Sequence, residues 1–286
     1  MIKVSVIVPF FNSERYIKRC VEGILRQSYP RENYEILMID NNSTDASAET
    51  VRRYPGIRLL SETKQGSYAA RNRGLQEAKG EIIAFTDADC VPSHNWLHRI
   101  VTALGTPELR IVLGRRRFGE NSFLLSMLAA YDHEKNQYVF NSGKKELYYG
   151  HTNNMAMRKQ LFEDLGPFME RVRGADTILV RQTVNTYSCQ VVQYCPEIEV
   201  WHMEIDNLRQ LYRKYFIYGR SSTGYSRIIR VDPLRNKERL RVFCNVTRNG
   251  RFSWTQSLIL AGMLGLGLAS WGLGKINPPW NKKETG

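Results

Sequence analysis

The first ninety residues alternate short apolar runs with amphipathic stretches, and this alternation narrows the possible folds most. Residues 3–9 (KVSVIVP) are β-branched and continuous, as a strand buried on both faces should be. Residues 14–27 then carry Ile17, Val21, Ile24 and Leu25 at helical spacing. A second apolar run, 34–39, ends at Asp40; Ser43 or Thr44 can cap a helix reaching Arg53, and 57–60 supply a third strand. Residues 67–79 read as a helix closed by Gly80, followed by a fourth strand over 82–85. Four strands alternating with three helices predict an α/β fold with a mainly parallel mixed sheet and helices on both faces, an α/β/α sandwich.

Beyond residue 90 the pattern is less regular. Strands are expected over 110–114, 148–157, 191–194 and 198–201, and helices over 158–165, 176–187 and 208–225. The three arginines Arg115, Arg116 and Arg117 read as a solvated or lipid-facing face. Residues 1–205 hold 26 basic and 24 acidic side chains, whereas 206–286 hold 15 and 4, so +11 of the net charge of +13 belongs to the C-terminal part. The division expected is a catalytic domain over 1–205, a basic amphipathic helical region over 206–251, and an apolar segment and tail over 252–286.

Residues 252–274 carry no charge, and 258–273 are apolar apart from Ser270. Arg248 and Arg251 precede this run, and Lys275, Lys282 and Lys283 follow it. Trp254, Trp271 and Trp280 stand where interfacial aromatics belong, and a spanning helix needs about 20 residues. Ala261, Gly265 and Ala269 form a small-residue stripe suited to close helix packing. Membrane insertion is therefore expected; a buried helix or a hairpin dipping into one leaflet are the alternatives. The five cysteines are odd in number and lack metal-ligand spacing, which suits a reduced compartment. Residues 1–11 read as a first strand rather than a signal peptide. Together these place the chain on the cytoplasmic face of the cell membrane. No recognisable nucleic-acid module accompanies the basic tail, so a nucleic-acid partner is not expected. The oligomeric state is left open, a homo-oligomer included.

Chemistry concentrates where the apolar runs end. Asp87 and Asp89 follow the fourth strand one residue apart, and residues at that spacing share a side. Paired oxygen donors suit Mg²⁺ or Mn²⁺ rather than zinc, although turn aspartates are also common after strands. Residues 9–14, 40–45 and 65–72 converge on the same carboxyl edge of the sheet, where open α/β folds bind ligands. Asp40 can accept from a base N–H, a glycine-led helix start offers donors to phosphate, and Arg71 adds a fixed positive fork.

The strings VSVIVPFFNSERYIKRCVEGILRQSYP, YEILMIDNNSTD, GSYAARNRG, AKGEIIAFTDADC and GHTNNMAMRKQLFEDLGPF, spread over residues 3–202, resemble those of the family 2 glycosyltransferases, the inverting group with the GT-A fold. The resemblance implies a metal-dependent transferase using a nucleotide diphosphate sugar, with UDP the expected nucleotide from family frequency. It places Pro9, Phe11, Glu14 and Asp40 around the nucleobase, Arg71 and Asp87 along the nucleoside, and Asp89 on the diphosphate-bound metal. Asp176, after Gly174, matches the family's catalytic base, while Ala175 replaces the usual Glu. As a first-turn carboxylate Asp176 also suits a helix dipole. His202 matches a position that reaches the metal or diphosphate in some relatives; a satisfied core histidine is the other reading. Residues 210–215 bear only a trace of the acceptor motif of processive relatives and lack its Trp, which disfavours a polymerase. The charged tail suits a lipid-linked or envelope-glycan acceptor. A catalytically silent sugar-nucleotide-binding or scaffold protein is the alternative that Ala175 raises.

Overall fold

The computed structural model describes residues 2–119, 122–170, 173–226 and 228–277. Its strands are β1 Val4–Phe10, β2 Tyr34–Asp40, β3 Arg58–Ser61, β4 Ile82–Thr86, β5 Cys90–Pro92, β6 Ile111–Arg117, β7 Asn154–Arg158 and β8 Val192–His202. Among the described residues they form one sheet in the order β3-β2-β1-β4-β7-β6-β8-β5. The first four strands run parallel; β7 is antiparallel to both neighbours, β6 and β8 are parallel, and β5 closes the far edge antiparallel.

Helices α1 Glu14–Leu25, α2 Ser47–Arg52, α3 Ser67–Glu77, α4 Trp96–Ala103, α5 Phe123–Asn141, α6 Gln160–Leu165 and α7 Ala175–Thr186 clothe the sheet. Side chains of β1 and β2 alternate between two cores, as the strand period requires. Val4, Val6, Ile36 and Met38 meet Ile17 of α1 and Trp96 of α4, while Ile7, Leu37 and Ile39 join Leu179 of α7 and Phe168. Both faces are buried, which is why these strands are apolar throughout rather than alternating.

Several elements differ from the sequence expectation. The helix after β2 begins at Ser47, because Ser43 and Thr44 bond across to the first loop instead of capping. Ser43 Oγ accepts from the Asn12 amide at 3.1 Å, and Asn12 Oδ1 accepts from the Thr44 amide at 2.8 Å. The strand expected over 148–157 begins only at Asn154. The two late strands are a single strand, β8, in which Pro196 lies at a bulge: register passes from Gly114↔Cys195 to Arg115↔Glu199.

Asn154 holds that bulge together. Its amide nitrogen donates to the carbonyls of Arg115 and Ile198, both at 2.9 Å, and its oxygen accepts from buried Trp96 Nε1 at 2.8 Å. Asn154→Ala leaves two buried carbonyls and an indole N–H without partners, so an unfolding free energy lower by roughly 2–4 kcal/mol is expected in chemical denaturation. A loss below about 0.5 kcal/mol would show that water replaces the side chain at no cost.

The C-terminal helices α8 Leu208–Tyr225, α9 Asn236–Asn249 and α10 Trp254–Ile276 share a third core with α5, through Leu125, Leu128, Leu211, Val246, Leu260 and Met263. Helix α10 is long and apolar enough to cross a membrane by length and composition. It lies along α8: Tyr212 OH donates to the Met263 carbonyl at 3.2 Å, and Ser270 Oγ to the Tyr212 carbonyl at 2.7 Å. The stripe of Ala261, Gly265 and Ala269 faces outward, away from this seam. The seam runs through Leu260, Met263, Gly267 and Gly274. At its end Gly274 approaches the backbone of Phe216 and Gly219 that of Trp271, so closely that neither position admits a side chain. The outer face of α10 presents Leu258, Leu266, Leu268, Leu273 and Ile276. Trp280, Lys282 and Lys283 lie outside the described residues.

Candidate active site

The carboxyl ends of β1, β2 and β4 and the start of α3 enclose a cavity of about 460 Å³. Pro9 and Phe11 enter it from the end of β1, Tyr16 from α1, Arg71 from α3, Asp87 and Asp89 from the turn after β4, and Glu204 from beyond β8. Local bonding explains why these segments meet. Asp45 accepts from the Glu14 amide at 3.0 Å and so caps α1 from across the site. Asn41, buried at the end of β2, donates to the carbonyls of Glu62 and Lys64 and accepts from the Gly66 amide at 2.7 Å. Gly66, at φ +140°, can then turn the chain into α3 beside the cavity.

Asp87 and Asp89 both line the cavity, although they sit in a turn closed by Cys90 N to Asp87 O at 3.0 Å rather than in extended strand. Arg71, only 4% exposed, bonds Asp87 at 2.5 Å and rests over the Tyr68 ring. Asp89 is the more deeply set. Burial, reinforced by the Asp87 charge, pushes its pKa up to about 7 despite the Lys214 ammonium nearby.

His202 lies behind Asp89, its Nδ1 3.5 Å from Asp89 Oδ2 and without a hydrogen-bond partner. Burial, aided by the charges of Lys214 and Arg116, keeps the ring neutral. Lys214 sits on the same cluster, 2.7 Å from Glu204, 3.9 Å from Asp89 and 3.1 Å from His202 Nε2. These residues fit a divalent cation: carboxylate oxygens and a partnerless buried nitrogen converge where an ammonium already serves as the positive charge. Because Lys214 only donates, Nε2 accepts and Nδ1 carries the proton. Ligation by Nδ1 therefore requires the other tautomer, and Lys214 must leave Nε2. Cys90 belongs to the same group of atoms, but burial raises its thiol far above the thiolate range, leaving it a donor to Asp89.

Asp176 heads α7 outside the cavity, 9% exposed. Its carboxylate accepts from the Thr152 amide at 3.2 Å and the Thr177 amide at 2.8 Å, and the Tyr68 hydroxyl lies beside it, favouring the ionised form. Burial nevertheless raises its pKa; the hydrogen bonds and the Arg71 charge oppose that rise. Tyr68 thus joins the two halves of the site, under Arg71 on one side and against Asp176 on the other.

Two predicted nucleotide contacts stand apart from the cavity lining. Glu14 is exposed at the start of α1, and Asp40 is half-buried at the end of β2, accepting from the Ser43 amide at 2.9 Å. Sequence reasoning missed Asn41, Tyr68, Glu204 and Lys214. Lys214 was hidden inside a helix that reads only as basic and amphipathic. Tyr68 lies in the GSYAARNRG string, but its role depends on a partner 108 positions away in the chain.

The family model for glycosyl transferase family 2 matches residues 5–166. Glycosyltransferase AglE of Haloferax volcanii is 30% identical over 239 residues, covering 73% of this chain and 77% of that protein. The chain belongs to glycosyl transferase family 2. Among solved structures it is similar to the mannosyltransferase PcManGT of Pyrobaculum calidifontis, in complex with GDP-Man and Mn²⁺: TM-score 0.68, 20% identity, 98% of this chain and 88% of the other. TarS 1–349 of S. aureus, in complex with UDP, aligns over 94% of this chain and 81% of its own, with TM-score 0.59 and 16% identity. The mixed α/β sheet is thus the GT-A arrangement the sequence implied.

Proposed function

We propose that the chain transfers a glycosyl unit, with inversion, from a nucleotide diphosphate sugar to a hydroxyl of a lipid-linked or envelope-glycan acceptor. The observation that carries this is the pairing of the Asp87–Asp89 cavity with the buried Asp176 carboxylate through Tyr68. The ligands of similar structures, GDP-Man in one and UDP in another, support a nucleotide sugar, and UDP is the nucleotide expected from family frequency. Pro9 and Phe11 frame the base with Asp40 and Glu14 at its edge, and Arg71 and Asp87 run along the nucleoside. Asp89 and His202 would hold Mg²⁺ or Mn²⁺, which supplies positive charge to the diphosphate.

Asp176 takes the proton of the acceptor hydroxyl as its oxygen bonds the anomeric carbon. The bond from that carbon to the diphosphate breaks, and the nucleoside diphosphate leaves with the electron pair. Lys214, released from His202, adds a second positive charge at the leaving group. Ala175 removes a possible acceptor contact but leaves this proton path intact, which favours an enzyme over a silent scaffold. A screen of UDP-, GDP- and dTDP-sugars with Mn²⁺, reading nucleotide release, tests the proposal; no release from any donor would contradict it.

The base sets a pH dependence. Asp176 must be ionised, so rate is lost as pH falls through its pKa, which burial has raised above the ordinary carboxylate value of about 3.9. Tyr68→Phe removes a donor that favours the ionised form. The acid limb of the kcat profile should move to still higher pH; an unmoved or lowered limb would contradict the assignment.

The division of labour proposed is a catalytic unit over 1–205, a basic region over 206–251 that sends Lys214 into the site, and an apolar segment over 252–286 that seats the chain on the cytoplasmic leaflet. Because α10 is committed to α8 along one face, an in-plane seat with the other face in lipid suits it better than a free span. The full chain should stay with membranes through a high-salt wash and leave in detergent. Replacing Leu258, Leu266 and Leu273 together by Glu should release it to the soluble fraction with its fold retained. Membrane retention of that variant would sink the lipid-facing assignment.

A further inference from the structure

Close to the base, two cations share one carboxylate. Asp132 of α5 receives Arg116 at 2.8 Å and Lys135 at 3.0 Å. The expected solvated face of Arg115, Arg116 and Arg117 is in fact split by the strand period: Arg115 and Arg117 pair with Glu199, while Arg116 turns inward. Arg116 and Lys135 together hold Asp132 well below the ordinary carboxylate range, so it stays ionised and one positive charge is left over. Arg116 occupies one oxygen of the carboxylate and Lys135 the other, and the cluster keeps a net positive charge that an arriving anion would match.

The cluster is reachable. Arg116 and Lys135 keep 18% and 30% of their side-chain surface open, although Arg116 Nε itself is buried. Lys135 lies 5.3 Å from the centre of the Tyr149 ring, and Tyr218, exposed on α8 one turn beyond Lys214, interacts with the charges of both Arg116 and Lys214. The cluster is also near the base. Tyr149 OH bonds Asn136, which in turn bonds Asp132 at 3.3 Å, and three residues further on the Thr152 amide bonds Asp176. Gly150, beside Tyr149, packs directly on Asp176, where a Cβ would meet the Asp176 carbonyl oxygen at 2.5 Å, so neighbouring residues join the cluster to the base.

We infer that Arg116 and Lys135 form an acceptor subsite for a phosphate group, so that the acceptor is a phosphate ester whose hydroxyl is presented to Asp176. This rests on the transferase reading above. A phosphate monoester carries about −1.5 to −2 charges near neutral pH and has three acceptor oxygens, which matches the surplus charge and open donors better than a carboxylate does. It can come from a lipid headgroup or from a free sugar phosphate.

The test uses the full chain in non-ionic detergent with Mn²⁺ and saturating UDP, titrated calorimetrically. Hexyl phosphate should bind at least ~10-fold tighter than neutral hexyl glucoside, as expected of a charge-assisted pair. Lys135→Gln should remove that advantage and Lys135→Arg retain it, and a melting curve of each variant checks the fold. Hexyl phosphate exceeding inorganic phosphate indicates a lipid headgroup, and equal binding a free phosphate. Hexyl glucoside or hexanoate binding as well as hexyl phosphate would overturn the inference, as would Lys135→Gln binding like the wild type. UDP is titrated first. Failure of UDP to bind counts against the transferase reading alone, because the Lys135 variants still report on the phosphate.

Discussion

Asp176→Asn is expected to cut turnover by roughly 1,000-fold, within the range that a positioned general base contributes, while UDP affinity stays within about twofold. The amide keeps the size of the carboxylate and can still accept from the Thr152 amide, so α7 should remain seated. What it loses is the ability to take a proton. The same experiment addresses Ala175. If the missing Glu had made the chain a silent binding protein, wild type and variant would be equally inactive. A variant that loses UDP binding while keeping turnover at saturation would reverse the roles assigned to the two ends of the site.

Asp89→Asn should lower turnover by at least ~100-fold, comparable to removing one strong electrostatic stabiliser, and should abolish the Mn²⁺ dependence of UDP binding. Asp89 is the carboxylate on which His202, Lys214 and Glu204 converge, so its loss removes the anchor for the cation and leaves Lys214 with Glu204 alone. Mn²⁺ binding followed by electron paramagnetic resonance, with and without UDP, reads this independently of catalysis. Normal Mn²⁺ affinity in the variant, or undiminished activity of the wild type in EDTA, would remove the metal assignment.

The first four strands were legible because each is buried on both faces and so is continuously apolar, a pattern that residues 3–9 and 82–85 show without any partner being known. The second half was harder for physical reasons that differ by element. Helix α5 carries apolar residues around much of its surface and buries Asn136 and most of Asp132 among them, so no polar face marks it as a helix. The β8 strand was divided at Pro196, which does end many strands but here occupies a bulge held by Asn154. In α10 the stripe of Ala261, Gly265 and Ala269 lies on the outward face, and its spacing says nothing of the seam with α8. The seam forms where Gly274 meets a helix that offers Gly219 close by, and one helix read alone does not reveal its partner.

At the site the same distinction holds between local and long-range information. Asp87 and Asp89 stand out by spacing, whereas Asp176 was singled out only through the family resemblance. Lys214 and Tyr68 act through partners distant in sequence. A lysine in a basic helix is ordinarily solvated, and only the fold shows that one turn of α8 faces Asp89.

The anomeric configuration of the product tests the central claim most directly. The full chain, supplied with Mn²⁺, an α-linked UDP-sugar and a membrane extract as acceptor, should yield a new β-linkage by nuclear magnetic resonance, together with released UDP. Asp176→Asn should yield neither above background. An α-linkage formed by the wild type would contradict the single in-line displacement assigned to Asp176.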